Sequence, residues 1–420
     1  MKIWFLSEVY YPDEQGTAFY TTGIAEGLAL SYQVHVLCSA PTVTARGAKV
    51  PRRELRNGVT VQRCFGTTLN KDILPLRIVN LLSYSAATFL KALVSVKRGD
   101  VVVAVTSPPS SPFVAQLVAW CKGASCIVRL EDVYPEILVA TGLIPARGGI
   151  DRSLGLLTRI LFRSADRLVV LGRDMKALAE RRIGGGAGEI RIIRSWADTD
   201  VVVPAPKAQN RLLGELGLTG KFVVSCVGNM GRAQAVEFIF QAVVLLRDDP
   251  TIHFLFIGSG SKKAWLESEI AHRGLTNVTV VGQRPRSQQS VFLNACDLSL
   301  ISLLPGVTGA GVPSRTYNLM AAGKPLVAVT REDSEVALLV QEEGLGWVVP
   351  PLVADHLVQA ILASRRDPEL LRVMGERARA AAEGRFSRGT IIEEYRDLVA
   401  ELLATCPARN VIPAQKLPAA

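Results

Sequence analysis

Histidine and cysteine are too sparse and too scattered in this sequence to build the sites they usually build. The four histidines, His35, His253, His272 and His356, are dispersed, and two lie in strand-like runs. No Ser/His/Asp arrangement or metal cluster can be assembled from them. The seven cysteines are Cys38, Cys64, Cys121, Cys126, Cys226, Cys296 and Cys406. The nearest pair, Cys121 and Cys126, has no histidine close by in sequence, so metal-ligand spacing is missing. An odd count in mostly apolar settings suits reduced thiols in a cytosolic protein. No run of about 18 apolar residues lacks a charge or strong polar break, so no membrane-spanning helix is expected. Met1-Lys2 runs straight into Ile3-Trp4-Phe5-Leu6, which reads as a first strand, so no signal peptide is expected. Zinc-finger spacing and aromatic–basic RNA signatures are also missing, which counts against nucleic acid as a partner.

What is present is apolar bulk and positive charge. A chain of 420 residues, 49% of them hydrophobic, suggests two or three domains with a large core. The formal net charge of +10 suits an anionic partner. With nucleic acid ranked low, membrane surface and nucleotide-sugar substrates lead.

The chain is organised around Gly309-Ala310-Gly311-Val312-Pro313-Ser314-Arg315-Thr316-Tyr317-Asn318. An apolar run from Leu298 to Leu304 reads as a buried strand before it. Two glycines and a proline make an open loop, and a helical pattern begins at Ser314 and ends at Gly323. Such a helix start offers free backbone N–H groups to a phosphate, and Arg315 adds a cation there. An ordinary strand–loop–helix unit of an α/β protein reads the same way locally.

Along the chain, residues 1–6 read as a strand, followed by a loop to Gly16, a helix from Thr17 to Leu30 and a strand from Val34 to Cys38. This opening is that of a nucleotide-binding α/β domain, or else a plain turn at Gly16. Residues 73–96 form an apolar-biased helix interrupted by Arg77 and Lys91, either a core helix or one lying in a bilayer interface. Strands are expected at Val101–Val105, Ile127–Leu130, Asp166–Leu171 and Ile190–Ile193. Glu131-Asp132-Val133-Tyr134-Pro135-Glu136 follows the second of these, at the edge where parallel sheets bind ligands. Asp132 there can accept a proton, hold a sugar hydroxyl, or simply cap a helix. Asp198-Thr199-Asp200 has Asp-x-Asp spacing but lies at a domain boundary, and we do not read it as a metal site.

Residues 201–220 look like a linker, after which the theme restarts. Strands at 221–227, His253–Ile257 and Val278–Val281 each end in a glycine turn: Gly228-Asn229-Met230-Gly231-Arg232-Ala233-Gln234, Gly258-Ser259-Gly260 and Gly282-Gln283-Arg284. Arg232 is either a phosphate ligand or a solvated surface arginine. Helices at His356–Arg366, Pro368–Glu383 and Thr390–Ala404 close the chain before a Pro/Ala-rich tail.

These segments together resemble glycosyltransferase family 4 of the GT-B enzymes. The closest likeness is to bacterial surface-polysaccharide transferases that move amino sugars such as N-acetyl-L-fucosamine. The carrying motifs are Tyr11-Pro12 to Gly16, Glu131 to Glu136, Val227 to Gln234, Ile257 to Gly260, Val312 to Tyr317 and Gly323-Lys324-Pro325. The resemblance covers residues 1 to 403 and implies α/β architecture with two Rossmann-like domains whose parallel sheets face across a cleft. The N-terminal acceptor domain would span 1–200 and the C-terminal donor domain 221–385. A helix at 386–405 would pack back towards the first domain, and 406–420 would form the tail.

The resemblance further implies a retaining, metal-independent transferase with no cofactor. It would take a nucleoside-diphosphate sugar, UDP-linked, and a lipid-linked or glycan acceptor. It would work in the cytoplasm, in peripheral contact with the inner face of an anionic membrane. Gly228, Asn229, Arg232, Gln234, Gly311, Val312, Pro313, Ser314 and Arg315 would hold the diphosphate. Gly258, Gly260, Gly282 and Arg284 would hold the nucleoside, and Asn318 a ribose hydroxyl. Gly16 and Thr17 would close over the phosphates from the other domain. Asp132 and Arg232 are the candidate catalytic residues.

Two glutamates that the broader family often carries around the central loop are replaced here by Ala310 and Asn318. Its arginine–lysine phosphate pair is replaced by Asn229 and Gln234, with Arg232 between them. Two other functions share the architecture: a UDP-sugar 2-epimerase, and a non-catalytic nucleotide-sugar-binding partner in a polysaccharide assembly.

Overall fold

The computed structural model describes residues 1–69, 73–185 and 189–404, so the expected tail lies outside the described residues. The first half runs β1 (Ile3–Leu6), α1 (Gly16–Ala29), β2 (Val34–Cys38), β3 (Arg53–Arg56), β4 (Val59–Arg63), α2 (Leu74–Ser95), β5 (Val101–Val105), α3 (Ser111–Lys122), β6 (Ser125–Arg129), α4 (Glu136–Ala140), α5 (Gly149–Ser164), β7 (Arg167–Val170), α6 (Arg173–Ile183) and β8 (Glu189–Ile192). These strands form an 8-stranded sheet in the order β3-β4-β2-β1-β5-β6-β7-β8, parallel except for the β3–β4 edge. β1 and β5 read as unbroken apolar runs because helices cover both faces of the sheet, as parallel sheets require.

The second half runs α7 (Arg211–Glu215), β9 (Phe222–Val227), α8 (Val236–Leu245), β10 (Ile252–Ile257), α9 (Lys263–Arg273), β11 (Val278–Val281), α10 (Gln289–Leu293), β12 (Leu298–Ser302), α11 (Arg315–Ala321), β13 (Leu326–Val329), α12 (Glu335–Glu342), β14 (Gly346–Val349), α13 (Ala354–Arg366), α14 (Pro368–Glu383) and α15 (Arg388–Ala404). Its sheet has 6 parallel strands in the order β11-β10-β9-β12-β13-β14. In both halves the first strand lies centrally and the order reverses beside it, which opens a crevice at the carboxyl ends of the strands.

Segment 201–220 is more than a connector. Asn210 caps α7 by accepting the N–H groups of Leu212 and Leu213, and both leucines are buried in the core of the second half. The last helix crosses back. Ile391, Tyr395, Leu398 and Val399 of α15 pack with Tyr20, Ile24 and Leu28 of α1 in one core. Arg129, 1% exposed, donates from Nε to the Tyr395 hydroxyl at 2.8 Å and pairs with Glu131.

α2, α3, α5 and α6 cover the opposite face of the first sheet. α2 turns Asn80, Tyr84, Thr88, Ala92 and the following Val96 inward, one residue per helical turn, and leaves Ile78, Val79, Leu82, Leu90 and Val94 exposed. By length and composition its Pro75–Ser95 stretch could cross a membrane, unlike the expectation from its charges. One side of it nonetheless packs on the sheet.

Candidate functional site

The wall of the crevice in the first half comes from two loops. After β1, the Asp13 carboxylate accepts the N–H groups of Thr42, Val43 and Ala45 and so fixes the turn leading to α1. α1 begins at Gly16 with no side-chain cap and no acidic residue in its first turn. The N–H groups of Gly16 and of the half-buried Thr17 have no protein acceptor among the described residues. After β6, the Thr106 hydroxyl accepts the N–H groups of Glu131 and Asp132 at 2.9 and 3.2 Å. Asp132 then pairs with Gly311 across the crevice as an antiparallel bridge, and Val133 donates to the Ala310 carbonyl at 2.8 Å. Burial pushes the Asp132 carboxyl up to about 6.

The floor comes from the strand ends of the second half, laced by backbone bonds. Gly228 donates to Ile257, Met230 to Ser259, and Lys262 to Met230, at 2.8, 2.7 and 2.9 Å. Gly258, at φ 151°, has its missing Cβ 1.9 Å from the Gly228 carbonyl oxygen, and that of Gly260, at φ 143°, would meet the Met230 backbone at 2.5 Å. These two glycines were expected to let a nucleoside approach. The close approach they permit is used by the neighbouring loop instead, because two turns from adjacent strands must interlock.

Arg315 differs from expectation in a useful way. Its side chain does not stand free at the start of α11 but runs beneath Gly228, where a Cβ would lie 3.1 Å from Nη1. Nη1 donates to the Val227 carbonyl at 2.9 Å, while Nε and Nη2 are buried without partners among the described residues. Burial pulls the guanidinium below its ordinary pKa. Ser314 faces the other wall, with its Oγ 3.4 Å from where a Gly16 Cβ would be. Gly16, Asp132, Gly228, Gly311, Ser314 and Arg315 thus surround one stretch of crevice.

Val312 packs between the two cores, and the Pro313 carbonyl accepts the Thr316 hydroxyl at 2.8 Å, shaping the turn into α11. Asn229 lies against Gly231 and Gly260, and Gln234 folds back so that its Oε1 accepts the Gly231 N–H at 3.0 Å. Other residues do not converge. Asn318 is buried and its Oδ1 accepts the Asp198 N–H at 3.1 Å, so that oxygen is spent on the interdomain segment rather than on a ribose. Ala310 is fully buried against the first half, which leaves its position no reach into the crevice. Gly282 stands in the open, while Arg284 bonds Gln288 at 3.3 Å and lines a cavity of about 250 Å³ with Arg211, Leu212 and Val291. Arg232 is exposed on the outer rim, lining a cavity of about 280 Å³ with Phe238, Gln241 and Lys262.

Sequence reasoning missed the residues that hold the halves together. The Arg286 guanidinium stacks 3.3 Å from the Phe19 ring centroid and pairs with Asp198 at 3.2 Å. Glu335, 1% exposed, is held by Arg173 at 2.9 Å and Arg194 at 2.7 Å. Charged residues facing the opposite domain leave no local signal, because their partners lie far away in sequence.

Two parallel-sheet α/β domains meeting at facing loops define the GT-B class of glycosyltransferases. Residues 15–196 match the model described as "Glycosyl transferase 4-like domain", and residues 221–367 the model "Glycosyl transferases group 1". The chain is 32% identical over 336 residues to the probable glycosyltransferase WbjE of Pseudomonas aeruginosa, covering 77% of this chain and 82% of the relative. It is 24% identical to the putative colanic acid biosynthesis glycosyl transferase WcaI of Escherichia coli, covering 94% and 98%. The crystal structure of Anabaena HepE in complex with UDP and glucose shares the fold at a TM-score of 0.72 and 18% identity, covering 96% of this chain and 100% of HepE. The chain belongs to glycosyltransferase family 4.

Proposed function

We propose that the protein transfers a sugar from a UDP-sugar to a hydroxyl of a lipid-linked or polysaccharide acceptor, without a metal and with retention at the anomeric carbon. The observation that carries this reading is the buried Arg315 guanidinium with Nε and Nη2 unpartnered beneath Gly228. A buried cation with orphaned N–H groups is costly unless an anion completes it, and a diphosphate fits that need. The uncapped start of α1 opposite Ser314 adds donors from the other wall. The UDP named with HepE supports the nucleotide, and the naming of WcaI supports a role in cell-surface polysaccharide synthesis. The sugar class that the family resemblance favours is an N-acetylated amino sugar or a deoxy sugar.

In this reading the bond between the anomeric carbon and the phosphate oxygen breaks towards the phosphate. Arg315 and the α1 N–H groups meet the charge on the departing diphosphate, with the exposed Arg232 adding at most a longer-range positive field from the rim. The acceptor oxygen bonds to the anomeric carbon on the same face that the diphosphate leaves, as retention in a single step requires, and its proton passes to Asp132. A carboxyl raised to about 6 is ionised at neutral pH yet basic enough for this work.

The outer faces of α2 and α3 carry no acidic residue and expose Leu82, Leu90, Phe113, Leu117 and Trp120 beside Arg77, Lys91 and Lys122. This combination suits peripheral docking on an anionic membrane, at the cytoplasmic face where nucleotide-sugars are found.

Release of UDP from UDP-N-acetyl sugars in the presence of EDTA tests the reading. Acceptor-dependent release without metal is expected. A strict Mg²⁺ requirement, or interconversion of the UDP-sugar with no acceptor, would overturn it.

A further inference from the structure

Between α5 and α6, bounded by Glu136 of α4, lies an open pocket of about 570 Å³ beside the crevice. Four arginines line it, Arg152, Arg159, Arg181 and Arg182, against one carboxylate, Glu136. Glu136 pairs with Arg182, whose Nη1 lies over the helix at Gly155, so this pair closes the floor. Arg181 lies within electrostatic reach of Asp333, itself held by Arg331. Arg152 and Arg159 form no ion pair among the described residues, and both are exposed. Four guanidiniums sharing one lining with a single carboxylate leave a net positive charge that an anion would complement.

The cavity has two kinds of neighbour. On one side is the reaction crevice: Leu178 of the lining touches Gly309, two residues before the Gly311 that pairs with Asp132. On the other side is apolar surface. Ile150, Leu156, Leu157 and Ile160 of α5, with Leu143 before it, are 48–60% exposed. A cationic pocket with the exposed Leu156 in its lining, on a helix whose surface also exposes Ile150, Leu157 and Ile160, fits a phosphate group that carries a hydrocarbon chain.

We propose that this pocket binds the phosphoryl head group of a lipid-linked acceptor, with Arg152 and Arg159 as its ligands, and the α5 face receives the first part of the lipid chain. The acceptor would then thread from the membrane, past α5, to the hydroxyl at Asp132. This rests on the transferase reading above and names the anchor of its acceptor. A soluble anion would need no apolar rim, and a general membrane contact would need no cavity.

The test is co-sedimentation of wild type and the Arg152→Gln/Arg159→Gln variant with two sets of phosphatidylcholine vesicles. One set carries a polyprenyl diphosphate, the other phosphatidylglycerol matched in charge. UDP affinity is measured on the same proteins. Wild type should bind the polyprenyl diphosphate vesicles about tenfold more tightly than the charge-matched ones, as direct charged hydrogen bonds demand. The variant should lose that preference while keeping its binding to phosphatidylglycerol and to UDP. Inorganic diphosphate should compete with the wild type only. Equal binding of wild type to both vesicle types, or equal loss on both in the variant, would reduce the pocket to general charge attraction and overturn the proposal. Loss of UDP binding by wild type would strike the donor reading instead, leaving the vesicle comparison to be judged separately.

Discussion

The two halves repeat one unit, a central strand that ends in a loop and feeds a helix, but they use that loop differently. In the second half the loops after β9 and β10 interlock, with Gly258 and Gly260 filled by the backbone of residues 228–230. In the first half the loop before α1 leaves Gly16 exposed, with Ser314 Oγ its one close neighbour across the gap. One half therefore supplies a rigid floor and the other an open wall. The outer surfaces differ in the same sense. Among the described residues, the second half from Arg211 onward exposes only Leu245, Leu352, Val353 and Leu370 as large apolar side chains, while α2, α3 and α5 of the first half expose many. Donor chemistry needs fixed hydrogen-bond donors, and acceptor capture needs an accessible surface.

The sharpest way to break this division of labour is at Asp132, which the first half lends to the floor. Asp132→Asn should cut the transfer rate by about 10²–10⁴-fold with UDP affinity unchanged, and should abolish a loss of activity below about pH 6. The same variant changes stability. Between pH 3.8 and about 6 the folded chain keeps a proton on Asp132 that the unfolded chain releases. That group's contribution to stability therefore falls as pH rises through this window and stays low above it. Asp132→Asn should raise the unfolding temperature more at pH 8 than at pH 4.

Glycine substitutions sharpen the contrast of floor and wall. Gly258→Ala must push a Cβ into the Gly228 carbonyl and should cost about 3 kcal/mol or more in denaturant unfolding. Gly16→Ala should cost less than about 1 kcal/mol, since its Cβ meets only a hydroxyl at ordinary contact. Equal costs would show that both loops are packed alike.

On the outer surface, Trp120 is 79% exposed at the end of the Phe113–Leu117–Trp120 stripe of α3. Trp120→Ser should weaken binding to anionic vesicles about tenfold, the worth of burying a large apolar side chain, with no effect on UDP binding. The smallest effect belongs to two histidines. His35 is stacked on Trp4, and His253 is bonded to Thr279. Burial lowers both to about 4, so they favour the neutral folded chain, and stability should fall as pH drops from 6.5 towards 4. His35→Phe should flatten that fall.

Sheet strands were legible because parallel strands buried on both faces are written as short apolar runs, as at Val101–Val105. The segment at Pro368–Glu383 was legible from its helical spacing and leading proline. β3 and β14 were not, being edge strands with charged or half-buried residues, nor was β4, which lies beside that edge and is only partly buried. Within the candidate site, motif reading found Asp132, Gly311 and Arg315, since each lies at a strand end or helix start. It could not show that Asn318 turns into the interdomain segment, or that Arg315 is buried under Gly228. Both depend on contacts 88–120 residues away. The arginine pocket was missed for the same reason, because its members are brought together by the packing of α5 on α6.

The most direct test of the central claim, that Arg315 and the floor around Gly228 hold a nucleoside diphosphate, is calorimetric titration with UDP, GDP and CMP in EDTA. Wild type, Arg315→Ala and Arg232→Ala would be compared. Selective UDP binding should survive EDTA, weaken by about ten- to a hundredfold when Arg315 loses its charged hydrogen bonds, and weaken less at the exposed Arg232. Binding that requires a metal, or that is unchanged in Arg315→Ala, would contradict the account.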